Sequence, residues 1–230
     1  MKRKIKVIAF DADDTLWVNE PFFQKSESLF CKLLEDFGTP EEISKSLFQT
    51  EMDNLELYGY GAKGFTLSMI ETALRISENK ISPNCINQIM ELGKSLLTIP
   101  IQLLEGVEST LEKLNGKYKL AVATKGDLLD QQRKLKRSGI QNYFDHIHIM
   151  SDKREKDYED LISDLGITPD EFLMVGNSLK SDIQPVVNIG GYGAYVPFEV
   201  VWQHEKIDES IVHPNIFVLK SLSQLEAVIL

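Results

Sequence analysis

Apolar residues in this chain come in short bursts that stop at polar ones. "IKVIAF" ends at Asp11, "YKLAVAT" at Thr124, "HIHIM" near Ser151 and "FLMVGN" at Asn177; "GAYVPF" and "NIFVL" follow. Each burst has the length of a buried strand. Between them, residues 127–138 and 155–165 carry amphipathic, helix-like spacing. Strands alternating with helices predict βαβ units and an α/β fold with a mainly parallel sheet. Ligands of such sheets bind at the carboxyl ends of the strands. Four separate strands therefore deliver Asp, Thr, Lys and Asn to one rim.

The pattern changes over residues 18–99. Phe22, Ser26, Leu29, Phe30, Leu33, Leu34 and Phe37 recur at helical spacing, closed by Gly38. Thr39 can cap a second helix, with Pro40 at its first position and Glu42 completing a capping box. A third helix fits 65–77, with Leu67, Ile70, Leu74 and Ser77 on one side. Ser82-Pro83 opens a fourth, carrying Ile86, Ile89 and Met90. No strand signal is clear here. The expected organisation is a core of residues 1–17 and 100–230, with a helical insertion at 18–99 between its first two strands.

Composition narrows the class. The 230 residues are 43% hydrophobic, enough for a substantial core with an insertion or for two small domains. A net charge of -10 with a pI near 5.0 is a diffuse acidic surface, which argues against a nucleic-acid partner. The basic start "MKRKIKVIAF" stops at Asp11, too soon for a signal peptide, and no run is long enough to span a membrane. Cys31 and Cys85 form no CxxC and no disulfide framework, so a reducing, cytoplasmic compartment is expected.

The strand ends carry the candidate chemistry. Asp11, Asp13 and Asp14 crowd like charges that need compensation by a cation or by lysines. In an Asp-x-Asp pair one carboxylate can stay ionised as nucleophile or metal ligand while the other holds a proton. Thr15 can fix the turn. Alone, the group reads as a solvated acidic turn. "ATKG" offers the Thr124 hydroxyl, Lys125 and exposed N–H groups for a phosphate oxygen, or a plain strand-to-helix turn with Asp127 as N-cap. "SDKREKDY" offers Lys153 or Lys156 to offset the aspartates, or a solvated charge run. "MVGNSLKSDI" brings Gly176, Asn177, Ser178 and Asp182, oxygen donors of the kind Mg²⁺ accepts, or another capped turn. Residues 59–64 match GxGxxG but follow a helix, not a strand, so they read as a loop with Tyr58, Tyr60 and Lys63 as candidate substrate contacts. His146, His148, His204 and His213 lack metal-ligand spacing, and Trp202 and Tyr192 read as packing residues.

Taken together, these segments resemble the haloacid dehalogenase-like hydrolase superfamily over the whole chain and in order. "FDADDTL" is similar to its first motif, Asp-x-Asp-x-Thr, and "AVAT" to its second. Lys153 fits the third and "VGNSLKSD" the fourth. The resemblance implies a Rossmann-like core, a helical C1-type cap and a connection at residues 16–21 of the squiggle-and-flap kind. It implies a phosphatase acting on a small phosphorylated metabolite with Mg²⁺. Asp11 is then the nucleophile and Asp13 the acid/base. Thr15, Thr124, Lys125 and Lys153 contact substrate, and Asp11, Asp13, Asn177 and Asp182 serve the metal. Two positions depart from the pattern: Asn177 stands where Asp is usual, and Lys125 where Asn is. Lys153 is preferred over Lys156 because it lies nearer its strand. A phosphomutase, a 2-haloacid dehalogenase and a non-catalytic phosphate-binding module are the alternatives. Asp13 argues against the dehalogenase, and Asn177 lends the binding module its support.

Overall fold

The structure, a computed structural model of the chain, describes residues 4–206 and 213–229. In chain order the elements begin with β1 (Val7–Phe10), α1 (Glu20–Leu33), α2 (Pro40–Tyr58), α3 (Ala62–Ile76), α4 (Pro83–Leu96) and α5 (Val107–Leu114). They continue with β2 (Lys119–Lys125), α6 (Leu128–Arg137), β3 (His146–Met150), α7 (Glu155–Asp164) and β4 (Phe172–Gly176). α8 (Gln184–Asn188), β5 (Tyr192–Tyr195), β6 (Ile216–Val218) and α9 (Leu225–Ile229) complete the set. Two compact units result: residues 1–20, 101–125 and 131–230 form one, and residues 21–100 and 126–130 the other.

The first unit is a Rossmann-like α/β layer structure. Its six strands lie in the order β3-β2-β1-β4-β5-β6, every pairing parallel, with Phe10 opposite Val122 on one side and Val175 on the other. All six apolar runs are strands of this sheet. A parallel sheet covered on both faces needs strands that are apolar at every position, and β1 is buried throughout. Ile8 and Phe10 join Leu120, Val122, Leu173 and Val175 in one cluster, which Val107, Leu111 and Leu114 of α5 help to cover. Val7 and Ala9 face the other way, with Ala121, Ala123 and Met174, against Tyr158, Leu161 and Ile162 of α7. The strand order reverses direction between β1 and β4. That reversal opens a crevice at their carboxyl ends, where ligands of such sheets bind. Asp11 and Asn177 are the first residues past those two ends.

The second unit is built from α1 to α4 around Phe30, Leu34, Ile43, Leu47, Met69 and Ile89. The capping box at α2 forms as expected: the Glu42 N–H donates to Thr39 Oγ1 at 3.3 Å, and the Thr39 N–H to Glu42 Oε2 at 2.9 Å. Two helix expectations need correction. α1 ends at Leu33, so Phe37 sits in the following turn, and both it and Leu29 are exposed. α3 buries Phe65, Ser68, Met69, Thr72 and Ala73, while Leu67 and Leu74 are exposed. Hydroxyl pairing explains that rotation. Thr72 Oγ1 donates to Thr50 Oγ1 at 2.9 Å and Asn54 Nδ2 to Ser68 Oγ at 3.3 Å, so small polar residues pack between the helices without an unmet donor. Among the described residues no helix is long and apolar enough to cross a membrane. Cys31 and Cys85 are free thiols of this unit.

Candidate active site

The site is assembled within the α/β unit. The Asp11 N–H extends the sheet ladder to the Val175 carbonyl at 2.9 Å. The chain then closes one helical turn, with the Leu16 N–H donating to Ala12 O at 2.8 Å. The turn returns Thr15 toward Asp11: its hydroxyl lies 3.2 Å from Asp11 Oδ2 and 3.1 Å from Asn177 Oδ1. Lys153, from the segment between β3 and α7, places its ammonium on Asp11 Oδ1 and 2.7 Å from Asp182 Oδ1. Its side chain is 1% exposed. A lysine so buried requires such partners, because an unpaired charge there is prohibitive. Burial pushes the Lys153 ammonium toward neutrality, yet Asp11 and Asp182 outweigh it and hold it protonated, well above the usual lysine range. Burial pushes Asp11 up to about 7; Lys153 opposes this, and Asp182 and Asp13 add repulsion.

Asp13 is gripped by donors of its own. Trp17 Nε1 donates to it at 2.7 Å, Gln131 Nε2 at 2.9 Å and Lys134 Nζ at 3.0 Å. Lys134 also reaches Asn19 Oδ1 at 2.9 Å. Asp14 adopts a left-handed backbone, φ 61°, and accepts the N–H groups of Asn19 and Glu20 at 2.8 and 2.9 Å. Burial raises the Asp14 carboxyl to about 7 against those two hydrogen bonds, with Asp13 and Asp11 adding repulsion.

Thr124 is buried at the end of β2, with Gln131 Nε2 3.3 Å from its hydroxyl. Gln131 Oε1 is a buried acceptor with no hydrogen-bond partner among the described residues, and it belongs to the amide that touches both Asp13 and Thr124. Buried acceptors of this kind are exceptional and are readily met by a ligand donor or water. Lys125 points elsewhere. Its ammonium lies 2.6 Å from Glu205 Oε1 and 3.0 Å from Ser181 Oγ. Asn177 and Asp182 flank the turn after β4. There the Asp182 and Ile183 N–H groups both converge on Ser178 O, at 2.9 and 3.2 Å, as a π-type turn. Gly176 is required, since a β-carbon on it would lie 2.2 Å from Asp182 Oδ2.

Several other candidates have partners of their own. Lys156 is solvent-exposed on α7 and pairs with Asp160, one turn on. Within the helical unit, the Tyr58 hydroxyl donates to Glu71 at 2.7 Å and Lys63 pairs with Asp127 at 2.9 Å. Asp127 caps its turn as expected, accepting the Asp130 N–H at 3.0 Å. The His146 and His148 rings neighbour each other on β3, an edge strand, and Tyr192 stacks on Phe217.

Sequence reasoning missed Trp17, Gln131, Lys134 and Glu205. Gln131 and Lys134 are three apart, hence on one helical face, and both are buried among polar neighbours. In sequence they look like the wet side of an amphipathic helix. Glu205 had no local signal, because its partners are 24 to 80 positions away.

Among the described residues no three His, Cys, Asp or Glu side chains form a metal cage. The donors that do converge are the Asp11 and Asp182 carboxylates, through Lys153, and the Asn177 amide oxygen, through Thr15. Mg²⁺ suits such a set: it takes hard oxygens, often only one or two carboxylates, and keeps waters and substrate phosphate for the rest. A cation there would also offset the burial and repulsion that push Asp11 up.

Comparison with known proteins identifies the family. Residues 5–190 match the model of the haloacid dehalogenase-like hydrolase family. The human N-acylneuraminate-9-phosphatase is 32% identical over 202 residues, 81% of this chain and 80% of that protein. The glyceraldehyde 3-phosphate phosphatase of Methanothermobacter thermautotrophicus is 25% identical across 98% of this chain and all of its own. The crystal structure of a haloacid dehalogenase-like family hydrolase from Xanthomonas campestris superposes with a TM-score of 0.89 at 34% identity, covering 99% of this chain and 91% of that one. The chain belongs to the haloacid dehalogenase-like hydrolases.

Proposed function

We propose that this chain is a Mg²⁺-dependent phosphatase that hydrolyses the phosphate monoester of a small metabolite through an aspartyl-phosphate on Asp11. The observation that carries the proposal is Asp11 at the sheet's switch point, held between the Lys153 ammonium and the Thr15 hydroxyl, with Asp13 two residues on. The names of the similar human and archaeal proteins, N-acylneuraminate-9-phosphatase and glyceraldehyde 3-phosphate phosphatase, support the substrate class.

In this reading Asp11 attacks phosphorus in line and the ester oxygen departs with a proton from Asp13. Asp13 then takes a proton from the water that cleaves the acyl phosphate, which returns Asp11 as a carboxylate. Trp17, Gln131 and Lys134 aim the Asp13 side chain. Lys153 and the Thr124 hydroxyl hold phosphoryl oxygens, and positioning with electrostatics supplies most of the acceleration. Mg²⁺, when bound, would supply positive charge to offset the negative charge that gathers at the site. Asp11, the Asp13 main-chain carbonyl and Asn177 would hold it, with Asp182 in support directly or through water. The helical unit, inserted between β1 and β2, is the cap, and substrate choice resides in its loops. A dehalogenase reading is disfavoured by Asp13, whose carboxylate three donors hold in place although attack at carbon has no use for it.

The test is phosphate release from p-nitrophenyl phosphate and a panel of sugar phosphates and nucleotides, with Mg²⁺ and with EDTA. Activity that requires Mg²⁺ and disappears in Asp11→Asn is expected. Inactivity of well-folded protein across the panel would overturn the proposal, as would metal-free halide release from 2-chloropropionate.

A further inference from the structure

Lys125, one of the two departures from the family pattern, and Ser178, the chain neighbour of the other, Asn177, are joined by a residue with no assigned role. Glu205 lies in a short turn, Gln203–Glu205, that follows β5. Its carboxylate is largely buried and fully engaged. Oε1 accepts from Lys125 Nζ at 2.6 Å; Oε2 accepts from Ser178 Oγ at 2.5 Å and Ser181 Oγ at 2.7 Å. Lys125 closes the ring by donating to Ser181 Oγ at 3.0 Å. A buried carboxylate with that many charge-assisted partners fixes their positions as well as its own.

What it fixes is the turn between Asn177 and Asp182. Ser178 Oγ, committed to Glu205 as donor, also accepts the Ser181 N–H at 2.9 Å. The Ser178 N–H donates to Asp182 Oδ2 at 2.9 Å, and Ser178 O accepts the Asp182 N–H at 2.9 Å. Asp182 Oδ1 then meets Lys153, which meets Asp11. Tyr158 holds the same turn from α7, its hydroxyl donating to Ser181 O at 3.0 Å. Hydrogen bonds therefore run unbroken from Lys125 through Glu205, the two serines, Asp182 and Lys153 to the nucleophile. Lys125 spends its charge on Glu205, so it acts at the turn and not on a phosphoryl group.

We infer that Glu205 is a positioning residue: anchored by Lys125, it holds the Ser178–Ser181 turn so that the oxygens of Asn177 and Asp182 are aimed at the metal. This rests on the Mg²⁺-dependent reading above. Groups that orient metal ligands are commonly worth 10- to 100-fold in metal affinity. Isosteric Glu205→Gln keeps the volume but removes the charge and one acceptor, and Glu205→Ala removes the anchor altogether.

The experiment titrates Mg²⁺ alone into the full chain by calorimetry, for wild type and both variants, alongside amide hydrogen exchange of residues 177–183. Glu205→Gln is expected to weaken Mg²⁺ binding about tenfold or more. It should also speed exchange of the Ser181 and Asp182 amides, leaving those of β1 and β2 and the far-UV circular dichroism unchanged. Unchanged Mg²⁺ affinity in both variants would overturn the assignment. If wild type itself takes up no Mg²⁺, the cofactor reading falls. Amide exchange then decides Glu205 independently: selective loss of protection in the turn supports it, and unaltered protection refutes it. Should Glu205→Ala fail to fold, Glu205→Gln and Lys125→Met/Glu205→Gln, which leaves no buried charge unpaired, supply the same comparison.

Discussion

Adding one methyl group at Gly176 tests the site's packing most directly. A β-carbon there would lie 2.2 Å from Asp182 Oδ2, 2.3 Å from Cγ and 2.5 Å from Cβ. Non-bonded carbons rest at about 3.5–4.0 Å. Rotating the Asp182 side chain is no escape, because its own Cβ is among the colliding atoms, so the turn Leu179–Ile183 must move. Movement strains the 2.7 Å contact between Lys153 and Asp182 and the 2.9 Å hydrogen bond from the Ser178 N–H. Overpacking of a well-filled site costs about 1–3 kcal/mol. Breaking a buried ion pair costs about 3–5 kcal/mol. Lys153 keeps Asp11 as a partner, so the pair is only half lost, and Gly176→Ala should cost about 3 kcal/mol, where the two ranges meet.

With a urea m-value of about 2 kcal/mol/M, that cost lowers the unfolding midpoint by about 1.5 M. Both tryptophans, Trp17 and Trp202, belong to the α/β unit, so intrinsic fluorescence against urea reports on this unit apart from the helical one. Turnover should fall with it, since displacement of Asp182 also displaces Lys153. An unshifted midpoint with wild-type turnover would show that Asp182 and its turn are not packed against Gly176 as described.

Lys153→Ala should lower kcat by about 10²–10³, the usual loss for a preorganised donor to a developing charge, while Lys156→Ala leaves it unchanged. Steady-state kinetics on one aryl phosphate ranks the two, and the reverse ranking refutes the role given to Lys153. Asn177→Asp should lower the Mg²⁺ concentration giving half-maximal rate, because carboxylate holds Mg²⁺ more strongly than amide; superimposed activation curves would place position 177 outside the metal shell. Glu205 predicts an acid-stability edge. Burial pushes its carboxyl up, but Lys125, Ser178 and Ser181 win and hold it at about 2, below the ordinary 4.5. A carboxyl depressed on folding stabilises fully above its unfolded value and loses that contribution as pH falls from about 4.5 toward 2, at most about 3 kcal/mol. Urea midpoints at pH 6 and pH 3 should therefore converge more in Glu205→Gln than in wild type, and equal pH dependence would refute the pairing.

The sequence determined the layers of the fold. A strand buried on both faces must be apolar at every position, so "VIAF", "LAVA" and "FLMV" announce themselves, and each must stop where polar groups meet the rim. It also brought Asp11, Thr124, Lys153 and Asn177 to one rim, at or near strand ends, since a parallel sheet sends every strand's carboxyl end to the same side. In the helical unit, the Thr39 and Ser82 caps were legible because capping chemistry is local. Tertiary structure alone decided which side of α3 is buried, because Ser68 and Thr72 go inside only when Thr50 and Asn54 stand opposite to satisfy them. It also decided the use of the charges. Lys125, Lys134 and Lys153 are all lysines near the rim, yet one anchors Glu205, one grips Asp13 and one bridges Asp11 and Asp182. Spacing along the chain cannot tell them apart, because each ammonium's role is fixed by partners 29 to 142 residues away, which only folding brings within hydrogen-bond distance.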